Sequence, residues 1–240
     1  MFAPRLSLVA ADGSAQSQAQ TDALDEAFDL VDAFRMVVCR ASNNELVVDT
    51  VISLTPGQNE YDLAVPVVAA TAAEQFFVTL TAFQGTTELF SALDIPARAT
   101  QPNETSSSSS PTVELTYTGP GATAESVQIE PAQVVLGPNG TATLAFEVLD
   151  TDDAVVTGVP VSWTSSADGV ATVEDGVVTA VSDGIAYIVV ALPTGLEAST
   201  AVFVISGTLA YVHGGVVRTS AAAGGDATDL GGDGGASAPA

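Results

Sequence analysis

Between Val161 and Val190 the chain reads VSWTSSADGVATVEDGVVTAVSDGIAYIVV, where apolar and polar residues alternate in short runs and each run stops at a turn. Neighbouring side chains on a strand point to opposite faces, so this alternation describes strands with one side on a core and the other in water. Asp-Gly at 175–176 and at 183–184 supplies residues that tolerate the positive φ of tight reversals, and it joins the runs as hairpins. The same pattern holds in TLAFEVLD, where Leu144, Phe146 and Val148 share one face and Thr143, Ala145 and Glu147 the other. Val161 and Trp163 also share a face, and a tryptophan on a central strand is expected inside two packed sheets.

Strand-length apolar runs also fill the chain from about 28 to 96: FRMVVCR, LVVDTVISL, YDLAVPVV, QFFVTLTAF and ELFSALDI. They are separated by ASNNE, TPGQNE and QGTT, whose Asn, Gly and Pro residues suit reversals. Residues 1–25 show no apolar periodicity and read as a mobile leader in which only TDALDEAF suits a helical turn or two. Ala99 to Thr112 holds five serines and two prolines and nothing large to bury, as in a loop or linker. Alternation resumes in TVELTYT, so Val113 to Thr118 is expected as the last strand of the first module, with GPGA at 119–122 as a hinge. The expected fold is all-β: two tandem β-sandwich modules over 26–118 and 122–206, a flexible leader, and a Gly-rich tail over 207–240.

With 240 residues, 47% of them hydrophobic, the chain can build two small cores. It carries 29 Asp and Glu against five arginines (Arg5, Arg35, Arg40, Arg98 and Arg218), no lysine, and a formal charge of −24. Such a chain is repelled by nucleic-acid phosphates and anionic lipid, so neither is an expected partner. Cys39 is the single cysteine; it forms no intramolecular disulfide, and its apolar surroundings suggest a small core residue. The least charged stretch, Ala198 to Val217, is cut by Ser206-Gly207 and Gly214-Gly215 into strand-length pieces, so it reads as two strands and not as a membrane span. The apolar part of the first twenty residues is too short for a signal-peptide core of about 7–15 residues.

His213 is the only histidine and sits in the turn-like YVHGG, with no GxSxG elbow, HExxH helix or glycine-rich phosphate loop beside it. The chain is therefore read as non-catalytic. Glu174, Asp175 and Asp183 fall where turns place side chains in water. Asp150, Asp152, Asp153 and Asp168 are the candidate metal ligands: if DTDDAVVTG and SADG lie at one end of a sandwich, four carboxylates converge on calcium, which takes six to eight oxygens. Their spacing does not match a DxDxDG loop, and no other cofactor is expected. Asn103-Glu-Thr and Asn139-Gly-Thr match the N-glycosylation triplet, a pattern that arises often by chance.

The segment SVQIEPAQVVLGPNGTATLAFEV, followed by VPVSWTSSADGVATVEDGVVTAVSDGIAYIVVAL, resembles the group 2 bacterial immunoglobulin-like domain family over about 126–206. The likeness rests on the strand ending in IEP, the VSWTSS strand and the VATVEDGVVTAVSDGIA core. It implies an Ig-like Greek-key sandwich used as a spacer or binding module in bacterial surface proteins, adhesins and secreted multidomain enzymes, with no catalytic residues to carry over. The departure lies at GIAYIVV, where Ile185, Tyr187 and Val189 replace small polar residues on the outward face. Such a stripe calls for cover by the rest of the chain or by a partner.

Residues 208–240 resemble, over a shorter and less specific stretch, the opening repeat of a TolB-like β-propeller, with LAYV, a turn, a second strand and an AGG turn. That likeness implies a fragment of a longer exported protein with its last residues poorly anchored, since a blade needs neighbouring repeats. The expected role is an extracellular or cell-envelope spacer or adhesion module that contacts other protein modules or a cell-surface ligand. The alternatives are a carbohydrate-binding module and the accessory region of a larger secreted propeller protein or enzyme.

Overall fold

The computed structural model describes residues 5–9, 16–54, 65–71, 74–98, 112–213, 216–221 and 228–229. The chain is all-β, with one short helix among the described residues, and it divides into two compact units. The first comprises 1–127 with 148–162 and 191–196; the second comprises 128–147, 163–190 and 197–240.

The first unit begins with β1 (Arg5–Val9) and α1 (Gln18–Asp29), followed by β2 (Ala33–Arg40), β3 (Leu46–Ser53), β4 (Gln75–Gln84), β5 (Thr87–Arg98) and β6 (Thr112–Tyr117). These six strands form one sheet in the order β1-β6-β5-β4-β2-β3. Alternation on β2 buries Phe34, Met36 and Val38, and on β4 it buries Phe76, Val78, Leu80 and Ala82. Cys39 takes the opposite face of β2 and is half-buried, so the apolar run around it did not place it in the core.

Of the leader expected over 1–25, the described residues 5–9 and 16–25 are instead built into this unit. β1 pairs in parallel with β6, Arg5 opposite Thr112 through Val9 opposite Thr116, and Leu6 and Leu8 pack on the core. Ser17 caps α1 by accepting the Gln20 N–H at 3.1 Å, satisfying one of the open donors of the first turn. Gln20, Ala23, Leu24 and Ala27 then fall on one helical face and are buried, and Phe28 meets Phe90 edge-on at 5.8 Å. The helix also explains why pieces from later in the sequence belong to the first unit. Ser162 Oγ donates to the Ala19 carbonyl at 2.7 Å, and Gln20 lies under Gly195, where a Cβ would come within 2.9 Å of its Nε2.

Much of the described basic charge serves this sheet. Arg35 reaches both oxygens of Asp49, at 2.9 and 2.7 Å, and these hydrogen bonds hold the Asp49 carboxyl below the usual carboxylate range. Arg40 bonds Glu74, whose other oxygen accepts the Ala70 N–H at 2.6 Å; the Glu74 carboxyl is lowered chiefly by the arginine.

β6 ends in Tyr117, which is buried against Phe90 at 5.4 Å and donates its hydroxyl to the Pro120 carbonyl at 2.7 Å. A Cβ on Gly119 would sit 2.9 Å from the Tyr117 ring, and one on Gly121, whose φ is 81°, would sit 2.9 Å from Val159. GPGA is therefore packed in place and is no free hinge.

The rest of the chain supplies β7 (Ser126–Glu130), β8 (Gln133–Leu136), β9 (Thr141–Thr143), β10 (Ala145–Leu149), β11 (Val155–Val156), β12 (Ser162–Ser165), β13 (Ala171–Glu174), β14 (Val177–Ala180), β15 (Gly184–Ala191) and β16 (Glu197–Val204). Their sheets run β11-β10-β7, β12-β15-β16-β8 and β13-β14-β9. β8 lies parallel to β16, with Val134 opposite Val202 and Leu136 opposite Val204, and these join Leu144, Val178, Ala186 and Ile188 in the second core. Trp163 packs against this core half-buried, not enclosed, its ring edge-on to Phe146 at 5.9 Å.

Asp175-Gly176 forms the β13–β14 hairpin with φ of 47° and 76°, as its sequence demands. Asp183-Gly184 does something else. It carries the chain from β14 to β15, which lie in different sheets, because the Val181 and Ser182 N–H groups both donate to the Val170 carbonyl. Beyond Gly207, β17 (Thr208–His213), β18 (Val216–Ala221) and β19 (Thr228–Asp229) form an antiparallel sheet. Most of the Ser-rich stretch, residues 99–111, lies outside the described residues, as do the side chains from 208 on.

Replacing Tyr117 with Phe removes the donor to Pro120 and is expected to cost about 1–2 kcal/mol. Burial also raises the phenol's pKa above its ordinary value, so the protonated form belongs to the folded state. The tyrosine's contribution is then full below pH 10, near the unfolded pKa, and is lost as pH rises beyond it toward the folded value. Urea unfolding of both chains from about pH 8 to about pH 11.5 tests this, since the parent's advantage should shrink across the alkaline range; a constant gap would contradict it.

Candidate interaction face

β15 sets the geometry. Ala186, Ile188 and Val190 point inward with no exposed surface, and the alternate residues Ile185 and Tyr187 are 52% and 55% exposed, with Val189 half-buried. Gly184 opens the strand at φ 150°, where a Cβ would meet the Val170 side chain at 2.9 Å. Tyr187 is held through its backbone: its N–H donates to Ser166 Oγ at 2.8 Å and its carbonyl accepts the Ser166 N–H at 2.9 Å. Asp183, expected only to decorate a turn, accepts the Ser206 N–H at 2.6 Å and bonds the Ser206 hydroxyl, joining the start of β15 to the end of β16.

The neighbouring strands continue the face. On β16 the inward positions are Thr200, Val202 and Val204, leaving Phe203 half-buried on the outside, opposite Val135 of β8, which is 47% exposed. The outward residues of β15, with Phe203 and Val135, thus form an uncharged apolar surface on a chain with a formal charge of −24. Strand alternation predicts Ile185, Tyr187 and Val189; Phe203 and Val135 join them because β8 and β16 pair in parallel, a long-range fact with no local sequence signal.

The four aspartates considered for calcium are not brought together. Asp150 closes its own loop: its Oδ1 accepts the N–H groups of Asp152 and Ala154, both at 2.9 Å, and Asp153 takes a φ of 57° in the same turn. Asp152, Asp153 and Asp168 are exposed. Among the described residues no group of three or more His, Cys, Asp or Glu side chains is placed to hold a metal ion. Asp150 thus serves the geometry of its own turn, and the other three carboxylates face water. No helix among the described residues is long and apolar enough to cross a membrane.

No protein-family model matches the chain, and no curated protein matches it. Among solved structures it is similar to domains 1–6 of the surface layer protein SbsC, at TM-score 0.34 and 17% identity over 90% of this chain and 25% of that one. Domains 4 and 5 of the S-layer protein SbsC give a TM-score of 0.33 at 17% identity, covering 82% of this chain and 87% of that one. The chain spans about a quarter of the length of the first of these. Scores at this level assign it neither a shared fold nor a role.

Asp150→Ala is expected to lose about 1–2 kcal/mol by stranding two loop donors, whereas Asp150→Asn keeps an acceptor at the same place and should stay within about 0.5 kcal/mol of the parent. Calcium should shift the melting temperature of the parent no more than magnesium at equal ionic strength. Equal losses in both variants, with a calcium-specific rise in the parent, would contradict the loop-acceptor role.

Proposed function

We propose that the chain is a non-catalytic spacer or adhesion module of the cell envelope or cell exterior, and that the outer face of β15 makes its contact with another protein surface. The observation that carries this reading is the exposure of Ile185 and Tyr187 on a strand whose opposite face is wholly buried. Outward strand positions in a water-facing sheet are usually polar, and an uncharged apolar stripe in so acidic a chain loses unfavourable contact with water when a second apolar surface covers it. The absence of charge on the stripe also spares a partner the cost of desolvating carboxylates.

Resemblance of 126–206 to the immunoglobulin-like family supports the spacer role, and the parallel pairing of β8 with β16 suits a sandwich of that kind. The three-stranded antiparallel sheet over 208–229 supports reading the tail as a propeller-like repeat. Carbohydrate binding is the weaker alternative. Sugars stack on open aromatic platforms, and Trp163 is edge-packed on Phe146 against the second core.

Tyr187→Asp in the full chain tests the proposal. Its unfolding free energy should stay within about 0.5 kcal/mol of the parent, as for a surface substitution. Parent protein should co-sediment with cell envelopes isolated from its own organism, and the variant should remain in the supernatant. A large loss of stability would make the stripe internal to the fold; undiminished co-sedimentation of a stable variant would remove it as the contact face.

A further inference from the structure

We propose that Asn139 is an attachment site for an N-linked glycan, an inference that rests on the extracellular or envelope reading above. Asn139-Gly140-Thr141 has the acceptor pattern, which requires a carboxamide and, two residues on, a hydroxyl side chain, both reachable by a transferring enzyme. The turn between β8 and β9 supplies that access. The Gly140 N–H donates to the Gly137 carbonyl at 2.9 Å, Pro138 takes the second position, and Asn139 takes the third with a φ of 57°. A turn of this kind needs positive φ at its third position, which asparagine tolerates. Asn139 and Thr141 are both exposed, and neither side chain hydrogen-bonds another described residue.

Local packing also fixes the middle residue. A Cβ on Gly140 would fall 2.9 Å from the Gly137 carbonyl oxygen, so glycine preserves the reversal and leaves no side chain between the two reacting positions. The other described asparagine with positive φ, Asn44, has Leu46 two residues on and lacks the hydroxyl. Thr141 opens β9, an edge strand that pairs with β14 on one side only, Thr141 opposite Thr179. A glycan on Asn139 would therefore extend into solvent beside an open strand edge and hinder pairing of that edge with another chain.

The transfer balances with a lipid-phosphate-linked saccharide as donor. Asn139 Nδ2 forms a bond to the anomeric carbon as the bond from that carbon to the phosphate oxygen breaks. The lipid phosphate leaves with the bonding pair, and Nδ2 gives up one proton to a base of the transferase.

The test uses the protein purified from its own cells and cleaved after glutamate. The peptide 126–147 contains Asn139 as its only asparagine, because the Glu130–Pro131 bond resists such cleavage. Mass spectrometry should find the saccharide mass on Asn139; Thr141→Val should return the peptide to its bare mass, and Thr141→Ser should keep the modification. A bare peptide in the parent, or a saccharide placed on Thr141 or Thr143, overturns the assignment. Protease treatment of intact cells separates this from the location reading. A chain cut from outside whose peptide is bare loses the glycan site alone, and a shielded chain with a modified Asn139 loses the envelope reading alone. A shielded chain with a bare peptide loses both.

Discussion

Twenty-nine acidic residues against five arginines leave most carboxylates with water as their only good partner. An unpaired charge taken out of water costs more than a small core can return, so such a sequence folds only if its interior is apolar and its acids stay at turns and on outward strand positions. Both cores obey this. The first is filled by Phe34, Phe76, Phe90, Leu80, Leu115 and their neighbours, the second by Val134, Leu136, Val178, Ile188 and Val202. Among the described residues the buried polar side chains are Gln20, Ser162 and Thr200, all uncharged and all given hydrogen-bond partners, while the Thr194 hydroxyl is buried without one.

The same constraint gives the outer face of β15 its meaning. On a surface where carboxylates are plentiful, an uncharged patch built from Ile185, Tyr187, Phe203 and Val135 stands apart chemically as well as sterically. Ser166 and Asp183 fix the strand that bears it through backbone and hydroxyl hydrogen bonds, so the patch is presented by a rigid sheet. Rigid presentation lowers the ordering cost of a protein contact, which suits a spacer or adhesion module better than a reactive site.

Period-two alternation is a local property, and the sequence therefore conveyed it well. It predicts the inward Ala186, Ile188 and Val190, the outward Ile185 and Tyr187, and β2 to β6 of the first sheet, but it missed β1, and residues 65–68 of the expected strand YDLAVPVV form none. Pairing partners are not local. Asp175-Gly176 and Asp183-Gly184 share a dipeptide, yet one closes a hairpin and the other crosses between sheets, because the carbonyl of Val170 decides the second. Of helix α1 the sequence marked only a helical turn or two at TDALDEAF, because its buried face is made of Gln20, Ala23, Leu24 and Ala27, with little apolar contrast to mark its full length. The structure does not gather the four candidate aspartates into a group of three or more for a related reason: spacing along the chain says nothing of where two loops end, and Asp150 has partners within its own loop.

Salt dependence of unfolding tests the central claim, that two apolar cores hold together a shell of mutually repelling carboxylates. Urea unfolding of the full chain should be followed as sodium chloride rises from about 0.1 M to about 1 M, over which the screening length falls from roughly 10 Å to roughly 3 Å. The account predicts a midpoint that rises with salt, most steeply at the low end, as repulsion among exposed acids is screened. A midpoint that stays level or falls would contradict it, since it would mean that attractive ion pairs, not apolar cores under repulsive strain, govern the stability of the chain.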